Sequence, residues 1–184
     1  MPELPEVETT RRGIEPHIVG KAIKSVVVRQ PSLRWPVSPE LSQVMTGNRV
    51  TGISRRAKYL LFSTNTGRMM VHLGMSGSLR ITNGSTALKK HDHIDIVFDD
   101  GTVLRYHDPR RFGSVFWIPE GSSHELIDSL GPEPLSDEFN GSYLYELSRR
   151  RKLAIKLFIM NSKVVVGVGN IYANEALHAA GIRP

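Results

Sequence analysis

"HIDIVFDDGTVLRYH", His93–His107, decides the fold class. Two runs rich in β-branched and aromatic residues, "HIDIVF" and "TVLRYH", flank Asp99–Gly101. Asp and Gly between two such runs predict a hairpin. The same signature repeats on both sides: "IKSVVVRQ" from Ile23, "YLLFST" from Tyr59, "RMMVHLG" from Arg68, "SLRIT" from Ser78 and "SVFWI" from Ser114. Gly, Asn, Asp and Pro punctuate these runs. Short strands at this spacing predict a β-sandwich or barrel between Lys21 and Ile118.

Helical patterns flank the strands. Residues from Pro5 to Val19 predict a leading helix with Val7, Thr10, Ile14 and Ile18 on its apolar face. Pro5 suits the first helical position, and Glu6 and Glu8 suit the positive end of the dipole. Pro16 predicts a kink or an early stop. After Pro119, "HELIDSLG" predicts a short helix ending at Gly131, and "GPEPLSDEFNG" a loop. "SYLYELSRRRKLAIKLFIM" predicts two helices, with Leu153, Leu157 and Met160 on one face. A last helix runs from Asn170 to Ala180, capped by Gly181. The class is therefore α+β: a β-sandwich domain over residues 1–131 behind a leading helix, then a partial helical domain over 132–184. The chain ends directly after its last cap, and so small a helical domain buries little core. A truncated, N-terminal portion of a longer protein is expected.

Lys and Arg outnumber Asp and Glu by 24 to 18, a formal net charge of +6. This balance fits a nucleic-acid footprint or an acidic membrane surface. No apolar run reaches the length of a membrane span, and glutamates stand where a signal peptide needs basic and apolar residues. There is no cysteine, so disulfides and thiolate metal sites are excluded within these residues. A cytoplasmic monomer is expected.

The opening "MPELPEVET" sets Pro2 behind the initiator methionine and Glu3 beside it. Removal of Met1 leaves a secondary amine as the first atom of the protein. An α-amino group titrates at about 7.7–8.0, so far more of it is neutral than of a lysine amine. The helix dipole lowers that value further, while Glu3 and Glu6 raise it. A neutral amine attacks activated carbon and forms an iminium, and Glu3 can donate or relay a proton. The plainer reading is a helix start organised by Pro5.

Six other segments carry candidate chemistry. In "SRRAKYLLF", strand alternation puts Arg56 and Lys58 on one face, where Lys58 meets a phosphate or moves a proton; otherwise it is a solvated strand end. In "HLGMSGSLR", Met75 stands between glycines, either as a core plug or as a wedge entering a base stack. In "KKHDHID", His91 beside two lysines suits a phosphate or base contact better than a metal. In "YHDPRRFGS", Arg110, Arg111 and Phe112 at a tight turn suit base edges, phosphates and stacking, or form a charged hairpin. "SRRRKLAIK" and "VGVGNIYANEAL" offer a phosphate track and a Gly-bounded helix start capped by Asn170. They also read as a solvated helix face and an ordinary turn. A reactive amine, wedge residues and phosphate-binding stretches on one basic chain fit an enzyme acting on a nucleotide within DNA.

"MPELPEVET", "RRAKYLLF", "HLGMSGSLR", "KHDHID", "DPRRFG", "LGPEPLS" and "VVGVGNIYANEAL" together resemble the bacterial formamidopyrimidine-DNA glycosylases. The related endonuclease VIII enzymes also begin Met-Pro-Glu, with Gly next; Leu4 favours the first branch. The resemblance implies a base-excision DNA-repair enzyme, both glycosylase and abasic-site lyase. Its partner is double-stranded DNA containing 8-oxoguanine, formamidopyrimidines or abasic sites. It implies that Pro2 forms the Schiff base, Glu3 acts as acid, and Lys58 serves β-elimination and contacts phosphate. It implies that Met75, Arg110 and Phe112 fill the gap left by the flipped nucleotide, with Arg110 on the orphaned cytosine. His72 and Asn170 match phosphate ligands, and His91 and Arg151 further DNA contacts. Asn170 falls in a helix–two-turn–helix motif. The family continues into a four-cysteine zinc finger, whose ligands this sequence lacks, so no cofactor is expected within these residues. It also implies a bacterial cytoplasmic protein at the nucleoid. The rivals are a DNA-binding module without catalysis and an N-terminal-proline tautomerase; the Arg110–Phe112 turn argues against the second.

Overall fold

The computed structural model describes residues 2–184. The chain divides between Ser123 and His124 into two compact units. The first contains α1 (Leu4–Ile18), β1 (Ile23–Val28), α2 (Leu41–Met45), β2 (Gly52–Arg56), β3 (Tyr59–Ser63), β4 (Gly67–His72), β5 (Ser78–Asn83), β6 (Asp92–Phe98), β7 (Thr102–His107) and β8 (Ser114–Pro119). The strands form two four-stranded antiparallel sheets, the first ordered β2-β3-β4-β8 and the second β1-β6-β7-β5.

Alternation decides which face each strand buries. Leu60 and Phe62, Met69 and Val71, and Val115 and Trp117 share one core with Ile94, Ile96, Phe98, Leu104 and Tyr106. Val7, Ile14 and Ile18 of α1 join that core, so the sandwich and its leading helix are one packing unit. The helix runs on to Ile18, which leaves Pro16 inside its last turn. All seven quoted strand runs form strands, and the β6–β7 turn follows its residues. Gly101 at φ +85° donates its N–H to the Phe98 carbonyl at 3.0 Å, and the Asp100 carboxylate accepts from Thr102 N–H at 3.0 Å.

One expectation is corrected here. Arg56 and Lys58 do not alternate along a single strand. Arg56 ends β2 opposite Tyr59, which opens β3, and Ala57–Lys58 is the tight turn between them. Ala57 takes φ +53°, a conformation that side chains with a Cβ rarely adopt.

The outer face of the second sheet carries buried charge. Arg105 is 3% exposed and donates to both oxygens of Asp95, at 2.8 and 2.9 Å. Arg29 reaches the same carboxylate at 2.6 Å. Asp92 accepts from Arg80 at 2.6 Å and from the Lys89 N–H at 2.8 Å, and its carboxylate lies 2.9 Å from His107. Arg105 also holds the Thr86 carbonyl at 3.2 Å, which draws residues 84–91 over the network.

The second unit contains α3 (Glu125–Asp128), α4 (Gly141–Ser148), α5 (Ile155–Ile159) and α6 (Asn170–Ala179). Asn140 caps α4 by accepting from Tyr143 N–H at 3.0 Å. Phe158, Ile159, Val164, Val165, Ala173 and Leu177 form its core. Three sequence expectations need correction. Leu153 lies outside the helices, and Leu153 and Leu157 are 51% and 56% exposed, because Phe158 and Ile159 supply the buried face of α5. The run Arg149–Lys152 lies between α4 and α5 and is not a helix face, with Arg150 at φ +59°. The cap of α6 is Gly169; Asn170 is the first helical residue.

Asp95→Ala leaves Arg105 buried beside no equivalent partner. The expected cost is about 3–5 kcal/mol, read as a lower urea midpoint for unfolding of the first unit. Acid acts on the same network. Burial alone raises Asp92 and Asp95, but the Lys89 N–H, His107 and Arg80 at Asp92, and Arg105 and Arg29 at Asp95, outweigh it and hold both carboxyls low. Their stabilisation is complete above the unfolded carboxyl value of about 3.9. It is lost as pH falls through the lower folded values, so the urea midpoint of the wild type drops below about pH 4 and that of Asp95→Ala drops less.

Candidate functional site

Register brings the candidate residues of the first unit to one end of the sandwich. In the first sheet Tyr59 pairs with His72 and His72 with Ser114. The β2–β3 turn with Lys58, the segment after β4 with Met75 and the segment before β8 with Phe112 therefore leave the sheet at the same level. In the second sheet Ser78 pairs with His107 and His107 with Asp92. That pairing sets His91 and the Asp108–Gly113 segment at the level where β5 begins.

The leading helix delivers the chain start to the same end. Followed back along α1, Arg11 donates to the Ile53 carbonyl at 3.3 Å, and Glu8 accepts from Arg55 at 3.3 Å. Arg55 also donates to the Ala57 carbonyl at 2.8 Å, so one guanidinium joins α1 to the turn that carries Lys58. Hydrogen bonding from Arg11 is the largest influence on Glu8; with Arg12 it overcomes burial and brings the carboxyl down to about 2. Glu3 is the N-cap of α1 and is 2% exposed, with its N–H donated to Glu6 at 2.9 Å. Pro2 is half-buried beside it. Removal of Met1 lies outside the described residues. Burial pushes the Lys58 ammonium below the ordinary lysine value, opposed by the charges of Glu3 and Glu6. A lysine so placed is a better proton acceptor than an exposed one.

His72 closes β4. Its Nδ1 accepts from Gly74 N–H at 3.0 Å, and its ring lies 4.9 Å from that of Tyr59. Burial, followed by the charges of Lys58 and Arg34, lowers its pKa to about 4. A neutral imidazole that accepts at Nδ1 carries its proton on Nε2, which makes it a donor.

His72, Met75, Arg110 and Phe112 line one cleft of about 660 Å³. Met75 is 43% exposed and Phe112 42%, which excludes the core-plug reading of Met75. The Arg110 guanidinium stands 4.7 Å above the Phe112 ring, a cation–π pair presented to solvent. A large apolar side chain and an aromatic–arginine pair at a cleft mouth suit insertion between stacked bases. His91 is half-buried and lies outside the cleft lining. The Asp92 network beneath it and the acceptance of Asp108 N–H by its carbonyl at 3.1 Å fix its backbone.

Sequence reasoning missed Arg34. It lines the cleft with Ser32 and Leu33, and its N–H donates to the Gly113 carbonyl at 3.2 Å. Beside it Trp35 is 49% exposed. The pairing of Arg with Trp in "SLRWP" was the available signal. Arg111 joins the same lining. In the second unit, Arg151 is exposed and its Nε donates to the Leu147 carbonyl at 3.3 Å, closing the end of α4. Asn170 is exposed at the first turn of α6. Among the described residues no three His, Asp or Glu side chains gather as a metal site, and no helix is long and apolar enough to cross a membrane.

Comparison with known proteins gives a consistent picture. Residues 1–115 match the formamidopyrimidine-DNA glycosylase N-terminal domain and residues 130–184 the formamidopyrimidine-DNA glycosylase H2TH domain. The formamidopyrimidine-DNA glycosylase of Thioalkalivibrio sulfidiphilus is 59% identical over the whole chain, which spans 68% of that relative's length. That of Stutzerimonas stutzeri is 56% identical with the same coverages. The Lactococcus lactis enzyme, solved non-covalently bound to DNA containing an abasic site, superposes with a TM-score of 0.92 at 36% identity, over 99% of this chain and 71% of its own. A structure of MutM with DNA containing carbocyclic 8-oxo-G gives 0.90 at 35%, over 100% and 70%.

His72 should titrate near pH 4 by NMR and stay neutral from pH 5 to 8. Removing the neighbouring charge in Lys58→Met should raise that midpoint. Because the folded value lies below the unfolded one of about 6.5, its contribution to stability is complete above pH 6.5. It is lost as pH falls toward 4.

Proposed function

The chain belongs to the formamidopyrimidine-DNA glycosylase family, a base-excision repair glycosylase by that membership, and we propose that its cleft extrudes and excises oxidised purines from duplex DNA. The observation that carries the reading is the convergence of Glu3, Lys58, His72, Met75, Arg110 and Phe112 at one end of the sandwich. The nucleophile is the amine of Pro2 after loss of Met1. It attacks the deoxyribose C1′ as the bond from C1′ to the base nitrogen breaks, and the base leaves with a proton. Glu3 supplies an acid as the sugar ring opens and the C1′–N iminium forms. The iminium acidifies the C2′ proton, whose removal expels the 3′ phosphate. Loss of the 5′ phosphate by δ-elimination follows. Lys58 assists the first elimination and holds phosphate.

Met75, Arg110 and Phe112 fill the space vacated by the extruded nucleotide, with Arg110 on the unpaired cytosine. His72 donates from Nε2 to a backbone phosphate, and Arg34 adds a charge on the same wall of the cleft. Asn170 contacts a phosphate, and His91 and Arg151 make further DNA contacts. Residues 1–131 form the catalytic domain and 132–184 the helix–two-turn–helix portion. A zinc finger does not fit these residues, which include no cysteine and, as described, no three-ligand cluster. The Thioalkalivibrio, Stutzerimonas and Lactococcus relatives are bacterial, and a repair enzyme of this kind works on the chromosome in the cytoplasm.

Borohydride reduction on a duplex with one abasic site tests the nucleophile. The expected result is a covalent adduct whose yield falls by about 100-fold or more when Met1 is retained, since the Pro2 nitrogen is then an amide nitrogen and the terminal amine is displaced. An adduct that persists with Met1 retained would assign the chemistry to a lysine. No adduct from a chain lacking Met1 would favour a non-catalytic DNA-binding role. Glu3→Gln should slow release of 8-oxoguanine by about 10²–10⁴-fold, measured as free base under single-turnover conditions, and should slow trapping at a preformed abasic site less.

A further inference from the structure

We propose that Ser76, Asp108 and Tyr106 form a clamp that locks the Met75 segment and the Arg110–Phe112 segment into one rigid wedge before DNA arrives. Asp108 opens a surface loop yet is 0% exposed. Its Oδ1 accepts from the Ser76 hydroxyl at 2.7 Å. Its Oδ2 accepts from the Tyr106 hydroxyl at 2.8 Å and from Gly113 N–H at 2.9 Å. The Ser76 hydroxyl oxygen accepts in turn from Arg110 N–H at 3.2 Å. One buried carboxylate thus ties the β4–β5 connection to β7 and to both ends of the β7–β8 connection.

The backbone of Asp108 extends the clamp. Its carbonyl accepts from Arg111 N–H at 3.2 Å and lies 2.8 Å from His93 Nε2. The two segments also touch backbone to backbone. Gly74 stands at φ +62°, and a Cβ there would collide with the Phe112 backbone; a Cβ on Gly113 would collide with the Tyr106 hydroxyl. Neither segment can shift without breaking these contacts.

Ser76, Tyr106 and Asp108 do not line the cleft. They are positioning residues, acting through Met75, Arg110 and Phe112. Inserting side chains into a base stack costs unstacking free energy, and a loop that must also order itself on binding weakens insertion further. A clamp set in the free protein removes that second cost. The carboxylate is well suited to the task, since a buried anion holds its donors more strongly than a neutral group. Burial alone would raise its pKa, but the donors named outweigh burial and keep it ionised.

The proposal rests on the DNA-extruding role of the cleft. Its test compares the wild-type chain with Ser76→Ala, Tyr106→Phe and Ser76→Thr. Amide hydrogen exchange at Arg110 and Gly113 reports the clamp without DNA. Borohydride adducts on a duplex and on a single-stranded abasic oligonucleotide report the wedge, because only the duplex has a stack to enter. The expected result is faster exchange in Ser76→Ala and Tyr106→Phe and a duplex-to-single-strand adduct ratio lower by about 10–100-fold. Met75→Ala should lower the ratio without changing exchange, and Ser76→Thr, which keeps the hydroxyl, should restore it. Unchanged exchange, or faster exchange with an unchanged ratio, overturns the proposal. A parallel loss on both substrates that tracks a lower unfolding midpoint also overturns it, since the clamp would then serve stability alone. If the wild type forms no adduct on either substrate, the catalytic reading itself fails and the clamp has no wedge to serve.

Discussion

The candidate site depends on two connections that cross between the sheets at the same end of the sandwich. The chain leaves β4 at His72 and enters β5 at Ser78; it leaves β7 at His107 and enters β8 at Ser114. Both crossings lie at this end because Tyr59, His72 and Ser114 are aligned in one sheet and Ser78, His107 and Asp92 in the other. Alignment of that kind follows from which strand face is apolar, since a one-residue slip would turn Met69, Val71 and Leu104 away from the core. Core packing thus decides where Met75 and Phe112 stand, although neither belongs to the core.

The sandwich itself was legible in the sequence for that reason. Alternating β-branched runs and the Asp–Gly turn report a period of two that no helix can satisfy, and the runs around Phe98 and Leu104 form strands as read. The leading helix was legible from Val7, Ile14 and Ile18. Segments whose conformation is imposed by distant partners were less so. Lys58 sits in a turn because Ala57 accepts a positive φ and its carbonyl is held by Arg55, which also donates to Glu8 on α1. Alternation along the sequence does not report a bond between residues so far apart. The exposed Leu153 and Leu157 show the same limit in a short helix, where helical spacing selected one face and packing selected Phe158 and Ile159.

Candidate chemistry was legible as residue types, and its assembly was not. Met75 between glycines and an arginine pair before Phe112 stood out against a bland loop composition. Nothing in either segment announced that they share a cleft. Ser76 and Asp108 are ordinary turn residues by themselves, and their hydrogen bond exists only after the sheets align. Arg34 was passed over because the residues around it have no period. It reaches the cleft because β1 ends beside His93, to whose carbonyl the Arg29 N–H donates at 2.8 Å. The following loop starts at the same end as the others.

Among the described residues, positive φ outside glycine occurs at Ala57, Arg111 and Arg150. Each costs on the order of 1–2 kcal/mol relative to an ordinary conformation, and each adjoins a candidate residue: Lys58, Arg110 and Arg151. At Arg111 the geometry explains the cost. In an extended chain Arg110 and Phe112 would both lie on the face opposite Arg111, spaced along the strand with no reason to stack. A left-handed residue between them folds the chain on itself, and the guanidinium comes over the ring at 4.7 Å. The bonds from Arg111 N–H and Gly113 N–H to Asp108 then hold the turn against its strain. The buried carboxylate and the strained arginine are two parts of one device: the strain shapes the wedge, and Asp108 keeps the strain from relaxing.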